Sequence, residues 1–148
     1  MKCIPLAPTD TQTLGYNFKL ILTAADVVAL TKATSYPLFP VISGSATFPA
    51  GQTVRRADLK VKTAAANGAN TVTFSLGNTG SATKYHSAVS VKSTGITLAN
   101  AAAEATASQL VFQFGTDASD LTAVTALDME VLLHIVPTAD ISAVTGGL

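Results

Sequence analysis

Runs in which apolar and polar residues alternate with a period of two recur along the chain between residues 18 and 136. Successive side chains of a β-strand point to opposite faces, so each alternating run predicts a strand with one face turned to a core. In the longest run, 127–136, the residues Leu127, Met129 and Val131 alternate with polar ones. The second half of this run is apolar on both faces, which predicts that it is covered on both sides. Shorter alternating runs lie at 18–22, 59–62, 71–76, 89–92 and 110–114.

Turn-forming residues separate these runs. Asn67-Gly68 lies between two of them and predicts a tight hairpin, because both residues tolerate a positive φ. Pro49-Ala50-Gly51 fits a type I turn with proline at its second position. The pattern of short runs and turns predicts an all-β fold: a single-domain β-sandwich or jelly roll of about seven or eight antiparallel strands.

Two stretches depart from the strand pattern. Thr23-Ala24-Ala25-Asp26 has the form of a capping box with Asp in place of Glu, so we predict one short helical turn near 24–31. Residues 99–107, ANAAAEATA, have high helix propensity but lack a stripe of large apolar side chains. We interpret them as a loop with helical character.

The two ends of the chain are interpreted as arms. Residues 1–13 contain Pro5 and Pro8, and proline both lacks an N–H and restricts the residue before it. This predicts an extended N-terminal arm at 1–13, a β-sandwich domain at 14–136 and a C-terminal tail at 137–148. The arms are expected to become ordered against neighbouring molecules.

Composition narrows the classes of partner. Nine Lys and Arg residues balance nine Asp and Glu residues, and charged residues make up only 12% of the chain. Nucleic-acid binders usually show a basic excess, so we expect no nucleic-acid partner. The apolar stretches are too short to cross a bilayer, and the N-terminus does not resemble a signal peptide, so we expect no membrane partner. A single cysteine, Cys3, excludes an internal disulfide.

The chain shows no recognisable constellation of reactive residues. His86 and His134 lack the spacing of zinc ligands and are expected to be structural. Asp117, Ser119 and Asp120 could offer oxygens to calcium, but these residues are ordinary turn formers. We find no nucleophile elbow and no phosphate-binding loop. The sequence therefore predicts a protein that is not an enzyme, with no catalytic residues, no cofactor and no metal site.

The arginine pair Arg55-Arg56 is the clearest candidate for contact with a partner. Strict alternation would let only one of the two point outward together with Lys60 and Lys62. A solvated strand edge explains the pair, and so does a salt bridge to an acidic partner surface. Tryptophan is absent and tyrosine is scarce, which weakens a carbohydrate-binding interpretation without excluding it. The candidate partner-binding residues are Arg55, Arg56, Ile4 and Leu6.

The order of these segments resembles a loose group of small virion proteins of tailed bacteriophages. The segments that carry the resemblance are FKLILTAADVVAL at 18–30, TFPAGQTVRRADLKV at 47–61, TVTFSLGNTGSATKY at 71–85 and SDLTAVTALDMEVLLHIVP at 119–137. The resemblance covers about residues 14–137 and rests on strand and turn order, so it implies no functional residues.

This resemblance implies a virion structural protein, commonly a capsid decoration or cement protein that binds the outer surface of the head and stabilises it. The partner would be the major capsid protein or another virion protein. A homo-oligomer, dimer or trimer, would be usual in such an assembly. The protein would be made in the host bacterial cytoplasm and end on the capsid surface of the virion. The alternatives are a tail, connector or fibre-base protein, and a carbohydrate-binding module of β-sandwich type.

Overall fold

The alternating runs of the sequence form strands of two antiparallel sheets. The structure is a computed structural model that describes residues 2–5, 16, 18–38, 52–98 and 110–137. Its elements are β1 (Lys2–Pro5), β2 (Phe18–Thr23), α1 (Ala24–Val27), β3 (Tyr36–Pro37), β4 (Gln52–Ala66), β5 (Thr73–Asn78), β6 (Ser81–Ser90), β7 (Gly95–Thr97), β8 (Leu110–Gly115) and β9 (Ala126–Pro137).

The strands divide into a five-stranded sheet A, with the order β1-β2-β9-β4-β7, and a four-stranded sheet B, with the order β3-β8-β5-β6. Every pair of neighbouring strands is antiparallel. The described strands do not close into a barrel, and the prediction of an all-β single domain is confirmed. β3 and β7 span only two and three residues, too few for alternation to reveal them in the sequence.

One hydrophobic core lies between the two sheets. Leu59 of β4 and Val131 of β9 are register partners in sheet A, and both are fully buried. From sheet B, Phe74, Phe112 and Phe114 point into the same core. The Phe74 and Phe114 rings meet edge to face with centroids 5.3 Å apart, a favoured aromatic geometry. The alternating apolar face of each run thus covers the inner side of its sheet.

The predicted helical turn is confirmed as α1. Thr23 is its N-cap residue, and the Asp26 carboxylate accepts hydrogen bonds from the Thr23 N–H at 2.8 Å and from its hydroxyl at 2.9 Å. These bonds occupy a backbone donor that the helix leaves without a partner.

The predicted hairpin at Asn67-Gly68 is wrong, although the turn is present. Gly68 has a φ of 55°, the left-handed conformation that glycine tolerates. The flanking strands β4 and β5, however, belong to different sheets. The chain passes from sheet A to sheet B at this turn. Val91 connects the two segments, since its carbonyl accepts from the Ala65 N–H at 2.8 Å and its N–H donates to the Val72 carbonyl at 3.1 Å.

The predicted arms fall mostly outside the described residues. The start of the N-terminal arm forms β1, which pairs with β2 from Lys2↔Ile21 to Pro5↔Phe18. The rest of that arm, the turn at 49–51, the stretch 99–107 and the tail after Pro137 lie outside the described residues. The division at 1–13, 14–136 and 137–148 therefore stays a prediction.

Candidate interaction surface

The outer face of sheet A carries a ladder of paired charges. The Lys19 Nζ lies 3.6 Å from the Glu130 Oε1, and the Lys62 Nζ lies 3.2 Å from the same oxygen. The Lys62 Nζ also lies 3.0 Å from the Asp128 Oδ2. Hydrogen bonds from Lys62 to Asp128 and then Glu130 raise the pKa of this lysine. These side chains neutralise one another, which leaves them with little unsatisfied charge for a partner.

A bulge in β4 turns both arginines of the pair toward solvent. The register with β9 steps from Val54↔Ile135 to Arg56↔His134, so Arg55 is an extra residue in its strand. Both Arg55 and Arg56 are exposed. The expectation that only one of them could point outward is therefore wrong, because it assumed an unbroken alternation.

The two arginines differ in what they contact. The Arg56 Nη2 lies 2.7 Å from the Oδ2 of Asp58, and its guanidinium carbon lies 5.0 Å from the centroid of the Tyr16 ring. The Tyr16 hydroxyl donates a hydrogen bond to the same Asp58 carboxylate, which is only 1% exposed. Arg55 has no ion-pair partner in the described ranges. Arg56 thus compensates a buried charge, whereas Arg55 forms no ion pair with the described residues.

The other candidate contact residues belong to the N-terminal arm. Ile4 lies in β1 at the register position opposite Lys19, and Leu6 lies outside the described residues. The assignment of Arg55, Arg56, Ile4 and Leu6 to partner binding stays a prediction.

Burial, the hydrogen bond to Asp58 and the charge of that carboxylate together raise the pKa of Tyr16 to about 12, against an opposing effect of Arg56. The phenol is therefore protonated over the whole physiological range. It serves as a donor that ties the segment before β2 to the outer face of β4.

Tyr16→Phe should lower the free energy of unfolding at pH 7 by about 1–2 kcal/mol, because a buried carboxylate loses a donor. The wild type should lose stability as the pH rises from 10 through 12, since folded Tyr16 holds its proton more tightly than the unfolded chain does. This alkaline loss should shrink in Tyr16→Phe and persist in Tyr36→Phe. Urea unfolding between pH 7 and pH 12 measures both effects, and equal alkaline slopes in the two variants would contradict the assignment.

His86 bridges the two sheets. It lies on β6 of sheet B, is 3% exposed, and its Nε2 lies 2.7 Å from the carbonyl oxygen of Ala57 on β4 of sheet A. Burial lowers the pKa of His86, although the hydrogen bond to Ala57 and the charge of Asp58 oppose the shift. Neutral His86 with its proton on Nε2 donates this bond, a structural role like the one that the sequence indicates.

Acid should weaken the fold through His86. Because its pKa is lowered in the folded state, its contribution is present above 6.5 and is lost as the pH falls below that value. The loss can reach at most about 1.4 kcal/mol per pH unit. His86→Gln should be less stable than wild type at pH 8 but should show a flatter decline from pH 7 to pH 5. Denaturant unfolding at several pH values tests this. Burial, Arg55 and Arg56 lower the pKa of His134 as well, so His134→Gln should also flatten the decline, but it should lack the loss of stability at pH 8 that removal of the His86–Ala57 bond causes.

The carboxylates of the loop 116–122 accept backbone hydrogen bonds, one across the fold and one within the loop. The Asp117 Oδ1 accepts the Thr71 N–H at 2.7 Å, and the Asp120 Oδ1 accepts the Thr122 N–H at 2.9 Å. These bonds lower the pKa of both carboxyl groups, mainly through Thr71 for Asp117 and Thr122 for Asp120. Within the described ranges, no three His, Cys, Asp or Glu side chains are grouped as metal ligands would be.

An apolar cleft of about 380 Å³ lies between α1 and β3. Its one charged lining residue is Asp26, whose carboxylate already accepts the two hydrogen bonds from Thr23. The lining residues are Leu22, Ala25, Asp26, Ala29, Leu30, Tyr36, Pro37 and Phe112.

Two features of the outer face were not recognised in the sequence. The first is the Tyr16–Asp58 contact, whose partners stand 42 positions apart. The available signal was Asp58 itself, a carboxylate between the apolar residues Ala57 and Leu59. The second is the exposed pair Ile96 and Leu98, which an alternation over only a few residues after Gly95 could have indicated.

Comparison with known proteins supports the fold. No protein-family model matches the chain, and no curated protein matches it. A chain of the solved "Cyanophage Pam1 capsid asymmetric unit" superposes with a TM-score of 0.51 at 17% sequence identity. The match covers 78% of this chain and 79% of that one, so the two share a fold over most of their lengths. No helix in the described part of the chain is long and apolar enough to cross a membrane.

Proposed function

We propose that this chain is a virion structural protein of a tailed bacteriophage, without enzymatic activity, which binds the outer surface of the head as a decoration or cement protein. The observation that carries the proposal is the fold shared with a chain of a phage capsid asymmetric unit over 78% of the sequence. The match covers 78% of this chain and 79% of that one, so the shared fold makes up most of each.

The physical character of the domain supports this role. A cement protein works by staying rigid while many copies hold neighbouring capsid subunits together. The continuous core between the sheets provides that rigidity, and the sheet edges and outer faces remain available for contacts. The partner is then the major capsid protein or a neighbouring virion protein, and a dimer or trimer at a symmetry axis suits the lattice.

The copy number in purified particles of the phage that encodes the chain tests the proposal. Quantitative mass spectrometry should find copies in fixed proportion to the lattice positions of the shell, and cryo-electron microscopy should place them on its outer surface. A few copies at the tail vertex would indicate a tail, connector or fibre-base protein instead. Absence from the particle together with binding to a glycan array would indicate a carbohydrate-binding module.

Removal of the protein should also weaken the shell. Heads assembled without the chain should release their DNA at a lower temperature than complete heads, and adding the purified protein should restore the original value. Dye-accessible DNA recorded during heating measures this release. An unchanged release temperature with all binding sites empty would argue against a cementing role.

A further inference from the structure

An exposed apolar pair marks the edge of sheet A. Ile96 is 62% exposed and Leu98 is 65% exposed, and in the described part of the chain no other large apolar residues are so open to solvent. All residues from 93 to 98 are exposed, and none of them carries a charge. A large apolar side chain in water loses the stabilisation that burial would give it, so such a patch indicates a contact surface.

The backbone beside this pair is open to a further strand. β7 is the last strand of sheet A and pairs only with β4 among the described strands, through Leu59↔Thr97, Lys60↔Ile96 and Val61↔Gly95. Natural proteins usually protect a free edge with charges, proline or a covering segment. The three residues of β7 include no charged residue and no proline, and no described strand covers its outer edge. This edge therefore offers a template for strand addition.

Positive charge borders the patch on the side of β4. Lys60 is the register partner of Ile96, so the two side chains share the outer face of the sheet. Lys60 and the more distant Arg55 of the same strand have no ion-pair partner among the described residues, whereas Asp58, Asp128 and Glu130 are already paired. Within the described residues, this surface therefore combines an apolar centre with two cations that form no ion pair and with carboxylates that are already paired.

We infer that the β7 edge, with Ile96, Leu98 and Lys60, binds an extended segment of a neighbouring, different virion subunit that carries apolar residues flanked by carboxylates. The inference rests on the proposed function and specifies the contact through which the chain would hold the shell. The added segment pairs with the β7 backbone, buries Ile96 and Leu98, and places a carboxylate near Lys60.

Charge favours a different subunit over a second copy. Two such edges facing each other would leave the two β4 strands three strand spacings apart, about 14 Å, and the uncharged β7 residues of one molecule would bring no carboxylate to Lys60 of the other. The carboxylates of Asp58, Asp128 and Glu130 form ion pairs within their own chain, so they are not available for ion pairs with Lys60 of a second molecule. An extended segment of a different subunit that carries free carboxylates can hydrogen-bond to the β7 backbone and also form an ion pair with Lys60.

The experiment measures binding of the purified chain to heads assembled without it. The variants are the double substitution Ile96→Ser with Leu98→Ser and the single substitution Lys60→Glu, with Lys84→Glu on β6 as the charge control. Wild type and Lys84→Glu should bind alike, and the two edge variants should bind at least tenfold more weakly. The melting temperature of the double variant should stay close to the wild-type value because Ile96 and Leu98 are exposed. Lys60 is half-buried opposite Glu130, so Lys60→Gln, which adds no like charge, is measured beside Lys60→Glu and should also bind more weakly. Hydrogen exchange of the amides at 95–98 should slow when the wild type is bound.

The outcomes separate this inference from the proposed function. Wild-type binding with unchanged affinity of both edge variants would overturn the inference and leave the decoration role intact. Failure of the wild type to bind heads at all would overturn both. If sedimentation shows that the free protein self-associates and that Ile96→Ser with Leu98→Ser makes it monomeric, then the edge joins copies of this chain and the inference of a different partner is wrong.

Discussion

Gly77→Ala is expected to lower the free energy of unfolding by about 3 kcal/mol, because an added methyl group would lie closer to the backbone here than at any other glycine of the described strands. Gly77 is buried in β5, and a Cβ placed there would lie 2.5 Å from the carbonyl carbon of Ala82 and 2.8 Å from the nitrogen of Lys84. It would approach the carbonyl oxygen of Ser81 more closely still. All three atoms are backbone, so no side-chain rotation relieves the clash.

The clash arises from the shape of β6. Its register with β5 passes from Leu76↔His86 to Asn78↔Ser81, which gives β6 extra residues opposite Gly77. Those residues fold over the glycine, and only the absence of a side chain permits the approach. Gly80→Ala is the matched control, because its Cβ would meet only the Asn78 Oδ1 at 3.5 Å. Urea denaturation should show a change in the free energy of unfolding within about 0.5 kcal/mol for the control. An equally small change for Gly77→Ala would refute the close approach of the β6 backbone to Gly77.

Arg56→Met is expected to destabilise the fold by about 2–3 kcal/mol, whereas Arg55→Met should change it by less than about 0.5 kcal/mol. The two side chains are adjacent in sequence and both exposed, so exposure alone would not distinguish them. Only Arg56 lies 2.7 Å from the carboxylate of Asp58, which is 1% exposed. Removal of the guanidinium leaves a buried negative charge with Tyr16 as a remaining donor.

Equilibrium unfolding of both methionine variants at low and high salt gives the measurement. Added salt should change the difference between wild type and Arg56→Met only modestly, because a desolvated carboxylate is poorly screened. Two small and equal effects would show that the carboxylate of Asp58 does not depend on Arg56. The same two variants also separate an effect on stability from an effect on partner binding. Arg55→Met should leave stability unchanged while it removes a cation that forms no ion pair with the described residues.

The sequence predicted the fold class because the sandwich has one buried face per sheet, and a single buried face produces alternation. Leu127, Met129 and Val131 show this directly in β9, and the capping pair Thr23 and Asp26 located α1 for an equally local reason. The partition into two sheets could not be predicted in this way. Asn67-Gly68 has the composition of a hairpin turn, but the following residues pair with another layer through contacts distant in sequence.

The outer face of sheet A was less predictable for a physical reason. A bulge adds one residue without altering composition, so the alternation through Arg55 and Arg56 gave no sign of it. The partners Tyr16 and Asp58 meet only after β2 and β4 have taken their places on either side of β9. Contacts of this kind depend on tertiary placement, and local periodicity does not encode them.

The length of β4 has a mechanical consequence. Its 15 residues extend roughly 50 Å at about 3.3 Å per residue, and β9 runs antiparallel beside it for most of that distance. A force directed along these two strands would load their hydrogen bonds in shear, so that many would have to break together. A domain loaded in this direction should resist extension until those hydrogen bonds break together, whereas a force across the strands would break them one at a time.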